Sequence, residues 1–298
     1  SKTMSEIKVN SIKGVGATNA AITVNNSDGS CTANLSNRQG KNLIINGGMT
    51  IAQRGVSSTT SGYATVDRFK LIHSGTDEAP TQAQVDVASG TTPYTLGFRK
   101  AFKVTNGNQT SGAGGGDYVY YQHKMEAQDI ANSGWNYTSS SSFITLSFWV
   151  KSSVAQNFYG YVRTHDFGTG SGAKMKYVYE TGSLTANTWT KITKTILGNS
   201  ALQIDNDVNN GFEITLAPFW GTTYTGSGIS LNTWEAWDSA LRQPDSTTTW
   251  YTTNDATFEI TGVQLEVGNV ATDFEHRSFG QELALCQRYY YVHASGND

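Results

Sequence analysis

Between positions 143 and 151 apolar and polar side chains alternate. Ile144, Leu146, Phe148 and Val150 fall on one side of an extended chain, and Thr145, Ser147, Trp149 and Lys151 on the other. A period of two means a strand, because successive side chains of a pleated backbone point to opposite faces. Shorter runs of the same kind occupy 98–104, 118–125, 158–163, 175–180, 189–197, 212–219 and 258–267, separated by clusters of Gly, Ser, Asn and Asp. This cadence predicts an all-β fold, a jelly-roll β-sandwich. In the last run Phe258 and Ile260 share a face, but Val263, Leu265 and Val267 resume only after a one-residue offset at Thr261-Gly262. A β-bulge at Gly262 would return all five to one buried face.

One stretch changes period. Ser278 followed by Gln281 has the spacing of a capping box, and Phe279, Leu283, Cys286 and Tyr290 recur at helical intervals, so a short C-terminal helix is predicted. At the other end, residues 5–41 are too poor in large apolar side chains to build a core, which makes them a flexible leader or a strand-bearing arm that packs on another chain. The chain thus divides into an N-terminal arm (1–41), a jelly-roll head (42–279) and a C-terminal helix with its tail (280–298). No repeat of fixed period runs through it, so it reads as a head and not as a shaft.

Composition narrows the function. With 21 Lys+Arg against 24 Asp+Glu and a formal charge of −3, the chain has no field suited to nucleic acid. The residues 5–10 are polar and alternating, so no export signal is read there, and no apolar run reaches membrane-spanning length. Membrane insertion is not expected. Cys31 and Cys286 are far apart and form no metal-spaced cluster, so two free thiols are expected.

Two segments carry a resemblance. Asn42-Leu-Ile-Ile-Asn-Gly-Gly-Met-Thr-Ile-Ala-Gln-Arg-Gly55, followed by Tyr63 and Val66-Asp-Arg-Phe69, resembles the opening of phage tail-fibre head domains. Thr261-Gly-Val-Gln-Leu-Glu-Val-Gly268, with Asp273-Phe-Glu-His-Arg-Ser-Phe-Gly-Gln-Glu-Leu-Ala-Leu-Cys-Gln-Arg-Tyr-Tyr290, is similar to their closing signature. Between them, Leu146-Ser-Phe-Trp-Val-Lys-Ser152 and Asn187-Thr-Trp-Thr-Lys191 look like core strands of carbohydrate-binding-module, galactose-binding-like jelly rolls. The resemblance implies a homotrimeric virion protein of the phage tail, assembled in the host cytoplasm, whose arm joins it to other tail proteins. Its implied partner is a host surface polysaccharide or lipopolysaccharide.

Sugar rings have apolar faces and hydroxyl rims, so a glycan site pairs aromatic platforms with polar donors and acceptors. Residues 220–251 hold that mixture, and Trp220, Tyr224, Trp234, Trp237, Trp250 and Tyr251 are the binding candidates. The competing reading is that individual tryptophans among them pack beneath the loops. Trp149 and Trp189, inside strand patterns, are expected in the core or at a subunit interface. A polysaccharide depolymerase would need two carboxylates in one cleft, for which Glu213, Glu235, Asp238 and Glu259 are available, but none sits in a motif. A purely structural tail or baseplate component is the other alternative. The expectation is therefore adhesion without catalysis and without a cofactor.

Other constellations carry less. Asp205, Asp207 and Asn209 alternate as calcium ligands do, yet they lack the glycine and terminal glutamate of an EF-hand loop, and a turn is expected. The glycines of 111–117 lack a following Lys-Ser or Lys-Thr and read as a loop. The five histidines are isolated. The Asp67-Arg68 and Glu275-His276-Arg277 clusters are expected to form ion pairs where the first and last strands meet.

Overall fold

The computed structural model describes residues 8–33, 39–165 and 174–293. The first seven residues of the arm and the last five of the tail lie outside them. Every run read as a strand from its alternation is one. They are β7 (Lys100–Thr105), β8 (Tyr118–Glu126), β9 (Phe143–Ser152), β10 (Asn157–Thr164), β11 (Met175–Ser183), β12 (Thr190–Leu197), β13 (Asn210–Trp220) and β15 (Thr257–Val267). The alternation missed β4 (Ser57–Ser58), β5 (Phe69–Ser74), β6 (Thr81–Asp86) and β14 (Trp234–Ala236). The arm carries β1 (Ser11–Ile12), β2 (Ile22–Val24) and β3 (Cys31–Ala33), which pair into a small antiparallel sheet of their own.

The head is a jelly-roll sandwich of two six-stranded antiparallel sheets, ordered β14-β11-β10-β13-β8-β5 and β12-β9-β15-β7-β6-β4. The chain passes repeatedly from one sheet to the other, so neighbours within a sheet are seldom neighbours in sequence. Each sheet sends one set of alternate side chains inward. From β9 these are Ile144, Leu146, Phe148 and Val150, which meet Tyr121, Phe158, Tyr179 and Phe212 of the opposite sheet in one core. Two buried hydroxyls in that core find acceptors: Tyr121 Oη donates to the Phe258 carbonyl at 2.7 Å and Tyr179 Oη to that of Thr215 at 2.9 Å.

The bulge forms where the offset in the pattern placed it. The β15–β9 register shifts between Thr261 and Gln264, and Gly262 takes a φ of 62°. Phe258, Ile260, Val263 and Leu265 all point into the core as a result.

The helix α4 (Phe279–Gln287), preceded in the chain by the short turns of helix α1 (Thr92–Thr95), α2 (Ala127–Ala131) and α3 (Thr249–Thr252), begins at the predicted capping box. Its buried face differs from the one read from its apolar residues. Glu282 and Cys286 point inward, whereas Phe279 is exposed. The reason is an inward-facing arginine. Arg277 lies against Glu275 and Glu282 and donates to the backbone carbonyls of Ile44 and Asn42. A buried glutamate next to that charge costs less than an unpaired one.

This cluster ties the two bracketing motifs together. Glu275 accepts from the amides of Gly40 and Asn42, and Glu282 from that of Asn46. Asn46, fully buried at φ 62°, donates its side-chain amide to the carbonyls of Ile51 and Asp67 and accepts from the Ile51 amide. The two charged clusters therefore communicate through Asn46. Asp67 itself pairs with Arg54 at 3.2 Å. The Arg68 and Arg54 guanidinium groups lie 3.4 and 3.5 Å from the ring centroids of Tyr289 and Tyr290, and this fixes the segment after α4.

Candidate functional site

On the β14–β5 sheet the side chains that do not enter the core form rows across the strands. Register places Lys124 opposite Glu213, Glu213 opposite Arg163, Arg163 opposite Lys176 and Lys176 opposite Glu235. The next row is Lys70, Gln122, Thr215, Tyr161 and Val178. The outer face thus passes from a charged row to a polar and aromatic one. The loop 221–248 folds over part of it, held by backbone bonds from Arg242 to Tyr224, Asn232 to Val178 and Trp237 to Lys174, and by Lys176 donating to the Leu241 carbonyl.

The loop adds alternating aromatic and cationic groups. Trp237 lies 5.3 Å from Tyr161, and the Arg163 guanidinium is 4.0 Å from its ring centroid. Arg242 sits 4.6 Å from the Tyr224 ring and 4.3 Å from that of Trp220. Beneath them Glu213 is fully buried, with Arg163 Nε at 2.9 Å and Gln122 Nε2 donating at 3.2 Å. His165 lies 3.6 Å from the same carboxylate. Burial first, and then the charges of Arg163, Lys124, Lys174 and Lys70, push the His165 pKa down to about 4. The imidazole is neutral at pH 7, so the Arg163–Glu213 pair is the ionic contact there.

The six aromatic candidates separate by burial. Trp234 donates its indole N–H to the Leu197 carbonyl at 2.7 Å and packs against Tyr177 in the core. Trp250 is fully buried and donates to the Thr257 carbonyl, while Tyr251 stacks on Phe219 at 4.2 Å. Trp220 is enclosed between Tyr120, stacked at 4.4 Å, and Arg242. These four leave no ring face for a ligand. Trp220 ends β13, Trp234 lies in β14 and Trp250 and Tyr251 lie in α3, and all four are buried, the packed arrangement of the competing reading. Tyr224 and Trp237 remain half-exposed, and Arg242 brings them to one side of the same sheet. Trp149 and Trp189 are half-buried on the outer face of the other sheet.

Sequence reasoning missed Tyr161, Arg163 and Arg242. The first two were legible as a pair, since Tyr159, Tyr161 and Arg163 recur with period two in β10. The alternate Phe158 and Val162 are the apolar, inward set, which leaves Tyr161 and Arg163 on the outward one.

The four carboxylates considered for catalysis do not all converge, although Glu235 and Asp238 both act on Lys176. Glu259 pairs with Lys151 at 3.0 Å on the opposite sheet, and exposed Asp238 caps the Ala240 amide. Glu213 and Glu235 share a face but stand three strand spacings apart, roughly 14 Å between backbones. The Asp207 carboxylate accepts from the amide and side chain of Asn209, the local arrangement of a turn. In the glycine-rich loop, Asp117 accepts from the Gly114 amide. Among the described residues Cys31 is an exposed and Cys286 a buried free thiol.

No family model matches the chain, and no curated protein matches it. Among solved structures it is similar to the enzymatically active domain of bacteriophage CBA120 tailspike protein 4, at 12% identity and a TM-score of 0.39 over 76% of this chain and 21% of that one. This chain therefore spans about a fifth of the tailspike chain's length. It is similar also to a putative sugar binding protein from Bacteroides thetaiotaomicron, at 11% identity and a TM-score of 0.37 over 76% of this chain and 100% of that one. A third is the CBM22-2 xylan-binding domain of Paenibacillus barcinonensis Xyn10C, at 12% identity and a TM-score of 0.36 over 71% of this chain and 100% of that one. These likenesses are of fold.

Proposed function

We propose that the chain is the head of a phage tail fibre or tail tip that adheres to a host surface glycan without cleaving it. The observation that carries the glycan reading is the outer face of the β14–β5 sheet. There the half-exposed rings of Tyr224 and Trp237 alternate with Arg242 and Arg163 above the buried Glu213. Aromatic faces take the apolar side of a pyranose, and the charged donors and acceptors between them bind its hydroxyls. The phage reading rests on the two bracketing motifs, whose residues meet at Asn46, Glu275, Arg277 and Glu282.

Adhesion is preferred over cleavage because glycoside hydrolysis needs its two carboxyl groups within roughly 5–9.5 Å, with one side of the bond open to each. Glu213 is buried under Arg163 and stands three strands from Glu235. In this reading the head works as a homotrimer in the virion. The small β1–β3 sheet, whose described side chains stay out of the core clusters, is the part that joins other tail proteins.

The test is affinity electrophoresis on host capsular polysaccharide and lipopolysaccharide, comparing the parent with Tyr224→Ala and Trp237→Ala. Loss of either platform is expected to weaken binding about tenfold or more while polymer length stays constant. Released oligosaccharides would turn the reading to a depolymerase. Absence of binding to any host fraction would favour a structural tail component.

A further inference from the structure

The β12–β4 sheet has its own outward face, and β9 supplies its floor. Ser147 and Trp149 point away from the core there, on the strand whose Leu146, Phe148 and Val150 point into it. On this floor stands a pocket of about 280 Å³, close to the lower end of the roughly 300–1,000 Å³ typical of small-molecule sites. Three separate parts of the chain wall it. Phe98 comes from the turn after α1, Lys191 from β12 opposite Trp149, and Phe274 with His276 from the segment between β15 and α4. His276 Nε2 lies 2.9 Å from the Leu96 carbonyl, which closes one side.

The closeness of these walls depends on two glycines in the left-handed region. At Gly262, φ 62°, a Cβ would meet the Phe98 ring at 2.6 Å and that of Trp149 at 3.2 Å. At Gly97, φ 99°, it would meet the His276 ring at 3.0 Å. The bulge that restores the core face of β15 therefore also lets Phe98 and Trp149 approach each other. Phe98, Phe274 and His276 contact one another, with ring centroids 4.9 to 5.1 Å apart. The rim is polar, with exposed Lys191 and exposed Asp273 among its lining residues.

The pocket therefore has a half-exposed indole, flanking aromatic edges, one cationic donor and one carboxylate acceptor of opposite charge. Lys191 and Asp273 are exposed at the rim, where one can donate to and the other accept from the hydroxyl groups of a ligand. A neutral ring with apolar faces and a hydroxyl rim fits both parts. We propose that this pocket is a second saccharide-binding site, which holds one sugar ring against Trp149 with its hydroxyls on Lys191 and Asp273. The inference is independent of the glycan site proposed on the other sheet, and the two would make the head bivalent.

The test is saturation-transfer NMR of the full chain with methyl pyranosides of glucose, galactose, mannose and N-acetylglucosamine and with methyl glucuronide. The comparison is made in a Trp237→Ala background, which removes a platform of the site on the other sheet, between that variant alone and the same variant carrying Trp149→Ala or Lys191→Ala. At least one neutral pyranoside should receive saturation from the background variant and lose it when Trp149→Ala is added. Its Kd should rise about fivefold when Lys191→Ala is added, as for one lost hydrogen bond. Lys191 is exposed, so its variant reports on the pocket even if Trp149→Ala fails to fold. The proposal is overturned if no neutral pyranoside responds in the background variant, if the response survives Trp149→Ala, or if it is unchanged in Lys191→Ala.

Discussion

Replacing Asn46 tests how strongly the two ends of the head are joined. Its side chain donates to the Ile51 and Asp67 carbonyls at 2.9 and 2.8 Å and accepts from the Ile51 amide at 3.0 Å, all in a fully buried site. Asn46→Ala leaves the Asp67 carbonyl and the Ile51 amide without this partner where water does not reach, at about 1–3 kcal/mol for each group that stays unsatisfied, while the Ile51 carbonyl keeps the Asp67 amide. It also places a Cβ-bearing residue with no local hydrogen bonding at φ 62°, which costs roughly 1–2 kcal/mol. The total is about 3 kcal/mol or more, a large part of the roughly 5–15 kcal/mol of a typical domain. Asn46→Gly removes the same hydrogen bonds but accepts the left-handed conformation, so it should be about 1 kcal/mol milder than alanine. Urea unfolding followed by tryptophan fluorescence measures both, with the difference read as a midpoint shift at unchanged m-value. An alanine cost under about 1 kcal/mol would mean that the buried groups find other partners and that the clamp is dispensable. A glycine variant weaker than the alanine one would refute the conformational part.

Gly262→Ala should destabilise by about 2 kcal/mol or more, from the left-handed conformation and the contact with Phe98, as read by urea midpoint; a neutral result would place the bulge elsewhere. Stability should fall with acid. The pKa values of His123 and His165 lie below 6.5, in both cases mainly through burial, so the unfolded chain binds protons that the folded one refuses. The loss begins as pH drops through about 6.5, and the His165 share levels off near 4, where the folded ring is itself protonated. Melting temperatures between pH 4.5 and 7.5 should show a shallower slope in His165→Asn, and an unchanged slope would contradict the neutral imidazole. Burial pushes the Cys286 thiol up to about 12, so a disulfide reagent should modify exposed Cys31 quickly and Cys286 only on unfolding. Two fast equivalents would contradict that.

What was legible in the sequence and what was not have physical reasons. The strands from β7 to β13 and β15 carry alternating apolar residues because their inner faces meet a full core, and the bulge showed itself as a phase change in that alternation. β6 was invisible because it is Thr-Gln-Ala-Gln-Val-Asp, and its inward Gln82 satisfies polar neighbours, accepting from Thr65 and donating to the Thr60 carbonyl. Alternation reports apolar burial, and this strand buries a polar side chain. The helix start was legible from its cap, but the buried face was not, since the side chain facing in is Glu282, held beside Arg277. For the candidate site, composition located the aromatic segment but could not separate a ring that closes a gap from one that lines a surface. Trp234 and Trp237 are three residues apart, and one is in the core while the other lies over Tyr161.

The central claim is that the face bearing Tyr224, Trp237, Arg242 and Arg163 grips a glycan that it does not cut. Hydrogen exchange of the full chain, with and without host surface polysaccharide, tests it most directly when the polymer is sized before and after. The account predicts added protection in the loop 221–248 and in β10, with polymer length unchanged. Protection absent from those segments in a complex that does form, or a polymer that shortens, would contradict it.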